Sequence, residues 1–241
     1  MAPVERVVAI LGYHKIGEPP AGGWPTWFYV PEATFARHLR WLAGAGWSPL
    51  ALDTFLAGLE DPSRLPPRGV LLTFDDGYRS VREVALPWLE RLGFPAVLFV
   101  PSDFVGARNT FDQASEPDEP LCDWDDLRAL QRAGVAIEAH GASHRAFSEM
   151  DAAAQDDELR RSKAALEAGL GTPVEVFAFP YGDAGPDRPG VARRLSAAGY
   201  RAACLYGGGP VGWPAEAYAL PRVPVGPDTE LAALLGPGSG A

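Results

Sequence analysis

Asp75 and Asp76 stand side by side in Val70-Leu71-Leu72-Thr73-Phe74-Asp75-Asp76-Gly77-Tyr78, at the end of a short apolar run. Adjacent carboxylates repel, so a site that keeps both needs a cation beside them or a raised pKa. His140 and His144 stand four apart in His140-Gly141-Ala142-Ser143-His144, directly after Val135 to Ala139, which reads as a second strand. On an extended strand these imidazoles would lie about 13 Å apart, too far to share an ion. On a helical turn they fall about 6 Å apart on one face, so shared ligation predicts such a turn. Two histidines and one carboxylate make a three-ligand set with an open position, the donor pattern of hydrolytic zinc sites. The second Asp then stays free to take a proton from a water that the ion has acidified. Each piece alone also has a plainer reading: a solvated Asp-Asp-Gly turn closing a hairpin, and an exposed turn carrying ordinary histidines.

These residues need elements that bring their ends to one rim. Val7 to Tyr13, Val70 to Phe74, Ala96 to Val100, Val135 to Ala139, Val174 to Phe179 and Ala202 to Leu205 read as strands. Helical spacing marks Pro31 to Gly46, Leu52 to Leu59, Val81 to Leu92 with a kink at Pro87, Trp124 to Ala133 capped by Asp123, Met150 to Leu170 and Gly190 to Ala198. Short extended pieces are expected at Trp47 to Leu50 and Tyr218 to Val225, a helical turn at Leu231 to Leu235, and a frayed tail over 236–241. Gly106 to Leu121 is acidic and without periodicity, and reads as a mobile insertion or lid. Strand and helix alternate repeatedly, which means βα units, a mostly parallel sheet and one α/β domain over 1–241. Ligands of such sheets sit at the carboxyl ends of the strands, where Asp75 and His140 fall. Periodicity leaves barrel and open sheet both standing.

The chain has 241 residues, with 31 acids against 21 bases and a net charge of −10. That balance argues against nucleic acid or an anionic membrane surface as partner, since both rest on basic patches. It does not bear on a neutral sugar. Cys122 and Cys204 lie far apart, outside any zinc-type spacing, and are expected to be unpaired thiols. No stretch reaches the roughly 18 apolar residues of a membrane span, and no leader is visible. The expected location is cytoplasmic for the chain as written, or exported if a leader has been trimmed. Oligomeric state is left open.

Thr73-Phe74-Asp75-Asp76-Gly77 and the His140–His144 pair resemble the first two motifs of the polysaccharide deacetylases, the metal-dependent carbohydrate esterases that share the NodB homology domain. Phe177-Ala178-Phe179-Pro180-Tyr181-Gly182 resembles their third motif. The resemblance runs from about Val7 to Val225. It implies a distorted (β/α) barrel of NodB type with fewer than eight regular strands. The activity it implies is hydrolysis of acetyl groups from N-acetylated sugars or polysaccharide. The cofactor would be a divalent metal, Zn²⁺ first, with Co, Ni, Mn or Fe as alternatives. By the same resemblance Asp75 is the general base, Asp76, His140 and His144 hold the metal, and the Tyr181 backbone N–H donates to the oxyanion.

Two departures stand out. Many members carry an Arg in the third motif that orients the catalytic Asp; Ala178 occupies that stretch here, leaving open what holds Asp75. Many also have a late His as general acid, and Leu220-Pro221-Arg222-Val223-Pro224-Val225 contains none. His14, in Gly12-Tyr13-His14-Lys15-Ile16, is the candidate replacement. It resembles the early Tyr-His of the poly-N-acetylglucosamine deacetylase branch, and the first and last strands of a barrel are neighbours. His38 is expected at the surface of a charged helix. Trp24, Trp27, Trp124 and Tyr181 are candidates for stacking on sugar faces. The alternatives are a C–N hydrolase of a small non-sugar amide on the same barrel, and a non-catalytic carbohydrate-binding relative.

Overall fold

A computed structural model describes residues 6–236; the end of the expected tail, 237–241, lies outside the described residues. In chain order it contains β1 Val7–Tyr13, β2 Lys15–Ile16, β3 Tyr29–Val30, α1 Glu32–Gly44, β4 Ser48–Pro49, α2 Leu52–Glu60 and β5 Arg68–Phe74. Then follow α3 Leu86–Leu92, β6 Ala96–Val100, α4 Trp124–Arg132, β7 Val135–Ala139, α5 Ala152–Leu170, β8 Val176–Ala178, α6 Arg188–Ala197, β9 Ala202–Cys204, β10 Val223–Pro224 and α7 Leu231–Leu235. The caps agree with the sequence: Asp123 accepts from the N–H groups of Asp125 and Asp126 in a reciprocal capping box that starts α4. Before α3 the chain makes a wide π turn over Val81–Ala85, where Pro87 removes a donor from the α ladder.

Strands run parallel in the order β10-β1-β5-β6-β7-β8-β9, with short β4 set against the start of β5. Only β1, β5, β6 and β7 are five residues or longer, so the sheet has fewer than eight regular strands. It curls. The segment before β10 bonds to the β9 side through Leu205 N–H to Leu220 O and Gly207 N–H to Arg222 O. Val223 and Pro224 then lie against Leu11 and Gly12 of β1. The last extended segment thus spans the gap between β9 and β1, giving the distorted barrel of NodB type.

The period of two along each strand separates two apolar clusters. Ala9, Leu11, Leu72, Phe74, Leu98 and Ile137 face outward into the large cluster under the helices. Val8, Ile10, Leu71, Val97, Phe99 and Cys204 face the inside of the curl, where Phe55 and Leu56 of α2 join them. Cys122 and Cys204 are both buried and free. No described helix is long and apolar enough to cross a membrane.

Candidate active site

Alternation along β5 sends Leu71, and by the same period Thr73 and Asp75, towards the inside of the curl. Asp75 N–H still bonds to Tyr13 O at 3.0 Å, so the carboxylate leaves the strand pairing at the mouth of the barrel. There it meets Arg222. Arg222 Nη1 lies 2.6 Å from Asp75 Oδ1 and Nη2 lies 2.7 Å from Oδ2. The guanidinium also donates to Leu205 O and to Thr73 Oγ1, and Arg222 is fully buried. Burial opposes the charge on Asp75, but Arg222 and then His140 outweigh it and hold its pKa below the usual carboxylate range. A buried Arg that grips Asp75 is therefore present, delivered by the last extended segment and not by the third motif. Sequence reasoning missed its role. The available signal was a lone Arg inside the apolar, proline-flanked run Leu220 to Val225.

Asp76 turns away at φ +70°. Its Oδ1 lies 3.2 Å from His140 Nε2 and 3.0 Å from His144 Nε2. Donors on a tetrahedral Zn²⁺ with bonds near 2.1 Å sit roughly 3.4 Å apart, so this triad has the size of a single-ion site. All three residues are buried, with their ligating atoms within 4.8 Å of one another. The other imidazole edges are also engaged. His140 Nδ1 lies 2.8 Å from Ala178 O, and His144 Nδ1 lies 3.2 Å from the Tyr181 hydroxyl, leaving both Nε2 atoms facing Asp76. The donor set fits a divalent metal such as Zn²⁺.

The helical turn expected for His140 and His144 is absent. Glu158 of α5 takes the N–H groups of Ala142 and Ser143 at 2.7 and 2.6 Å and so ties this stretch to another element. Ser102 N–H and the Ser162 hydroxyl both bond to Gly141 O. A loop with positive φ at Gly141 and His144 results, and it still brings the two rings to 5.1 Å between centroids.

His14 lies at the end of β1 with Nε2 3.9 Å from both Asp75 Oδ2 and Asp76 Oδ2. Phe28 and Tyr206 flank its ring at 4.6 and 5.2 Å. Burial lowers its pKa from the ordinary imidazole value, and the two carboxylates offset this only in part. Tyr181 sits in the turn Pro180–Gly182 at φ +58°. Among the described residues only Asp76, His144 and Tyr181 are non-glycines with positive φ, and all three meet here. His14, Asp75, Asp76, His140, His144 and Tyr181 line one cavity of about 300 Å³. An open depression of about 640 Å³, floored in part by Phe104 and Phe111, shares His144 and Tyr181 with it.

Other expectations need correction. His38 is buried, its ring between the Tyr13 hydroxyl and Thr229 O at 3.2 and 2.9 Å; the charged neighbours Arg37 and Arg40 occupy the outer side of α1. Trp124 packs against Gly169 of α5 and does not line the cavity. Trp24 and Trp27 are exposed outside the cavity, and Phe28 is the aromatic of that loop which enters it. The 106–121 loop is irregular but fastened. Lys15 Nζ lies 2.5 Å from Glu116 Oε2 between the rings of Tyr29 and Tyr78, and Tyr29 donates to Glu119.

Residues 63–203 match the family model described as polysaccharide deacetylase. That span holds Asp75, Asp76, His140, His144 and Tyr181, and leaves His14 and Arg222 outside. YxkH of Bacillus subtilis (strain 168) is 23% identical over 218 residues, covering 90% of this chain and 71% of that protein. Among solved structures, the Streptococcus pyogenes deacetylase PplD in complex with acetate superposes with a TM-score of 0.83 at 18% identity, covering 97% of this chain and all of that one. IcaB from Ammonifex degensii gives a TM-score of 0.81 at 23% identity, covering 96% and 98% of the two chains.

Proposed function

The chain belongs to the polysaccharide deacetylase family, and on that footing we propose that it is a metal-dependent deacetylase removing acetyl groups from N-acetylated sugars. One observation carries the reading. A carboxylate held ionised by a buried Arg stands directly beside a buried Asp-His-His triad, in a cavity large enough for an acetamido group. The acetate in the PplD structure, the product that such chemistry releases, agrees with it.

Bound at Asp76, His140 and His144, a divalent ion would polarise the acetyl carbonyl and acidify the attacking water. Asp75 accepts the proton of that water, and Arg222 fixes both carboxylate oxygens so that the base does not swing towards Asp76. The Tyr181 backbone N–H, in a turn forced into the left-handed region, donates to the developing oxyanion. His14 faces both carboxylates, and the proton that Asp75 takes from the water passes through it to the leaving nitrogen. The shared wall between the cavity and the open depression gives a sugar chain room to continue past the reacting unit.

The test is acetate release from N-acetylglucosamine oligomers and from small amides by the Zn²⁺-loaded protein, with Asp75→Asn alongside. Oligomer hydrolysis lost in Asp75→Asn is expected. Hydrolysis of small amides only would replace the substrate, and no hydrolysis of any amide would sink the enzyme reading.

A further inference from the structure

The two histidines of the triad are supported in different ways. His140 leans on the barrel itself, through the Ala178 carbonyl at the end of β8. His144 leans on a loop. Its ring is stacked on Phe111 at 4.0 Å and 29°, and its Nδ1 edge meets the Tyr181 hydroxyl, which in turn donates to Asp112 Oδ1 at 3.1 Å. Phe111 and Asp112 both belong to the 106–121 loop. That loop is tied down at its far side by Lys15–Glu116, by Thr26 donating to Glu116, and by Asn109 bonding across its neck to Pro117 O and Glu119 N–H.

We propose that Asp112 is a positioning residue for His144, acting through the Tyr181 hydroxyl. The argument is one of hydrogen-bond direction, and it rests on the metal-site reading above. A phenol has one proton. Given to Asp112, that proton leaves the Tyr181 oxygen only able to accept, and the one donor facing it is His144 Nδ1–H. Placing the proton on Nδ1 fixes the tautomer and presents the Nε2 lone pair to the position beside Asp76 Oδ1. The Tyr181 side chain thus has a task separate from that of its backbone N–H. A loop outside the three motifs sets the quality of one metal ligand.

The test uses the full chain and Zn²⁺ alone, competed against a chromogenic chelator. Tyr181→Phe removes only the hydroxyl of a 58% exposed side chain and keeps the backbone N–H. It is expected to weaken Zn²⁺ binding about 10- to 100-fold, the range found when such outer partners are lost. Asp112→Ala should lose a comparable amount, and the double variant no more than the larger single loss, because the two act in series. Asp112→Asn, whose carbonyl oxygen still accepts from the phenol, should recover most of the affinity. Nitrogen-detected NMR of the Zn²⁺-loaded protein should show one Nδ1–H tautomer at His144 in the parent and a changed Nδ1 signal in Tyr181→Phe. Affinity unchanged within twofold in Tyr181→Phe, additive losses in the double variant, or Asp112→Asn as weak as Asp112→Ala would each overturn the relay. A parent chain that binds no divalent ion would overturn the metal-site reading and the relay with it.

Discussion

Replacing Arg222 with Met keeps most of the side-chain volume and leaves the Asp75 carboxylate buried without its partner. Breaking a buried pair in this way costs about 3–5 kcal/mol. The lost bonds to Leu205 O and Thr73 Oγ1 would add about 1 kcal/mol each if they were independent. Asp75 limits the damage by taking a proton, at about 1.4 kcal/mol per pH unit of displacement. A loss of about 4 kcal/mol at neutral pH is expected, a large share of a typical 5–15 kcal/mol. The sign of its pH dependence follows from where Asp75 titrates. In the parent its folded pKa is depressed, so its stabilisation is full above the unfolded value of about 3.9 and is lost as pH falls through the folded pKa. In Arg222→Met the folded pKa is lifted, so the penalty is absent below about 3.9 and grows as pH rises to the lifted value. The gap between the two proteins therefore narrows from pH 7 downwards. Urea unfolding of the metal-free proteins at neutral pH and near pH 4.5 measures it. Adding Asp75→Asn to Arg222→Met removes the stranded charge and should return about 2–3 kcal/mol while activity stays lost. A single variant within 1 kcal/mol of the parent, a gap independent of pH, or no recovery in the double would refute the reasoning.

Three further outcomes are expected. His14→Ala should slow amide hydrolysis about 10²- to 10⁴-fold, and much less on an acetyl ester whose leaving group needs no proton; equal losses on both substrates would remove His14 as the acid. Asp76→Ala should lose both bound metal and acetate release, with elemental analysis and the acetate assay as paired readouts, and chelation of the parent should be reversed by adding Zn²⁺. Lys15→Met strands Glu116 and should cost about 3 kcal/mol. It should also open the 106–121 loop to trypsin at the half-exposed Arg108, so parent-like resistance would show that the buried pair does not fasten the loop.

The strand ends that form the candidate site were legible because local patterns announce them. Strand-like stretches of five residues stop at Asp75 and at His140, and alternation aims these side chains into the barrel mouth. What was not legible depends on partners distant in sequence. Asp75 and Arg222 are 147 residues apart, and nothing local to either shows that they meet. The spacing of His140 and His144 reports only that two rings can converge, and a helical turn is the simplest local path that does so. The backbone path is chosen by Glu158, a buried acid on another element. His38 carries the same lesson. Its neighbours in sequence are charged, but its neighbours in space are Tyr13 and Thr229. The 106–121 segment lacks periodicity and carries only a short 3₁₀ turn at Thr110–Asp112, and nothing local to it announces that Lys15 pairs with Glu116, Tyr29 with Glu119 and Tyr78 with Asn109.

The pairing of Leu11 with Val223 joins opposite ends of the chain, and this bears on the order in which a growing polypeptide acquires its powers. Asp76, His140, His144 and their supporting loop leave the ribosome well before Arg222 does. Closing so wide a loop is slow and depends on the final strand having emerged. On the function proposed above, a nascent or carboxy-terminally clipped chain would capture an ion while Asp75 is still unanchored. Metal loading and hydrolytic competence would then be successive events in the life of the molecule, separable by removing about a tenth of its length.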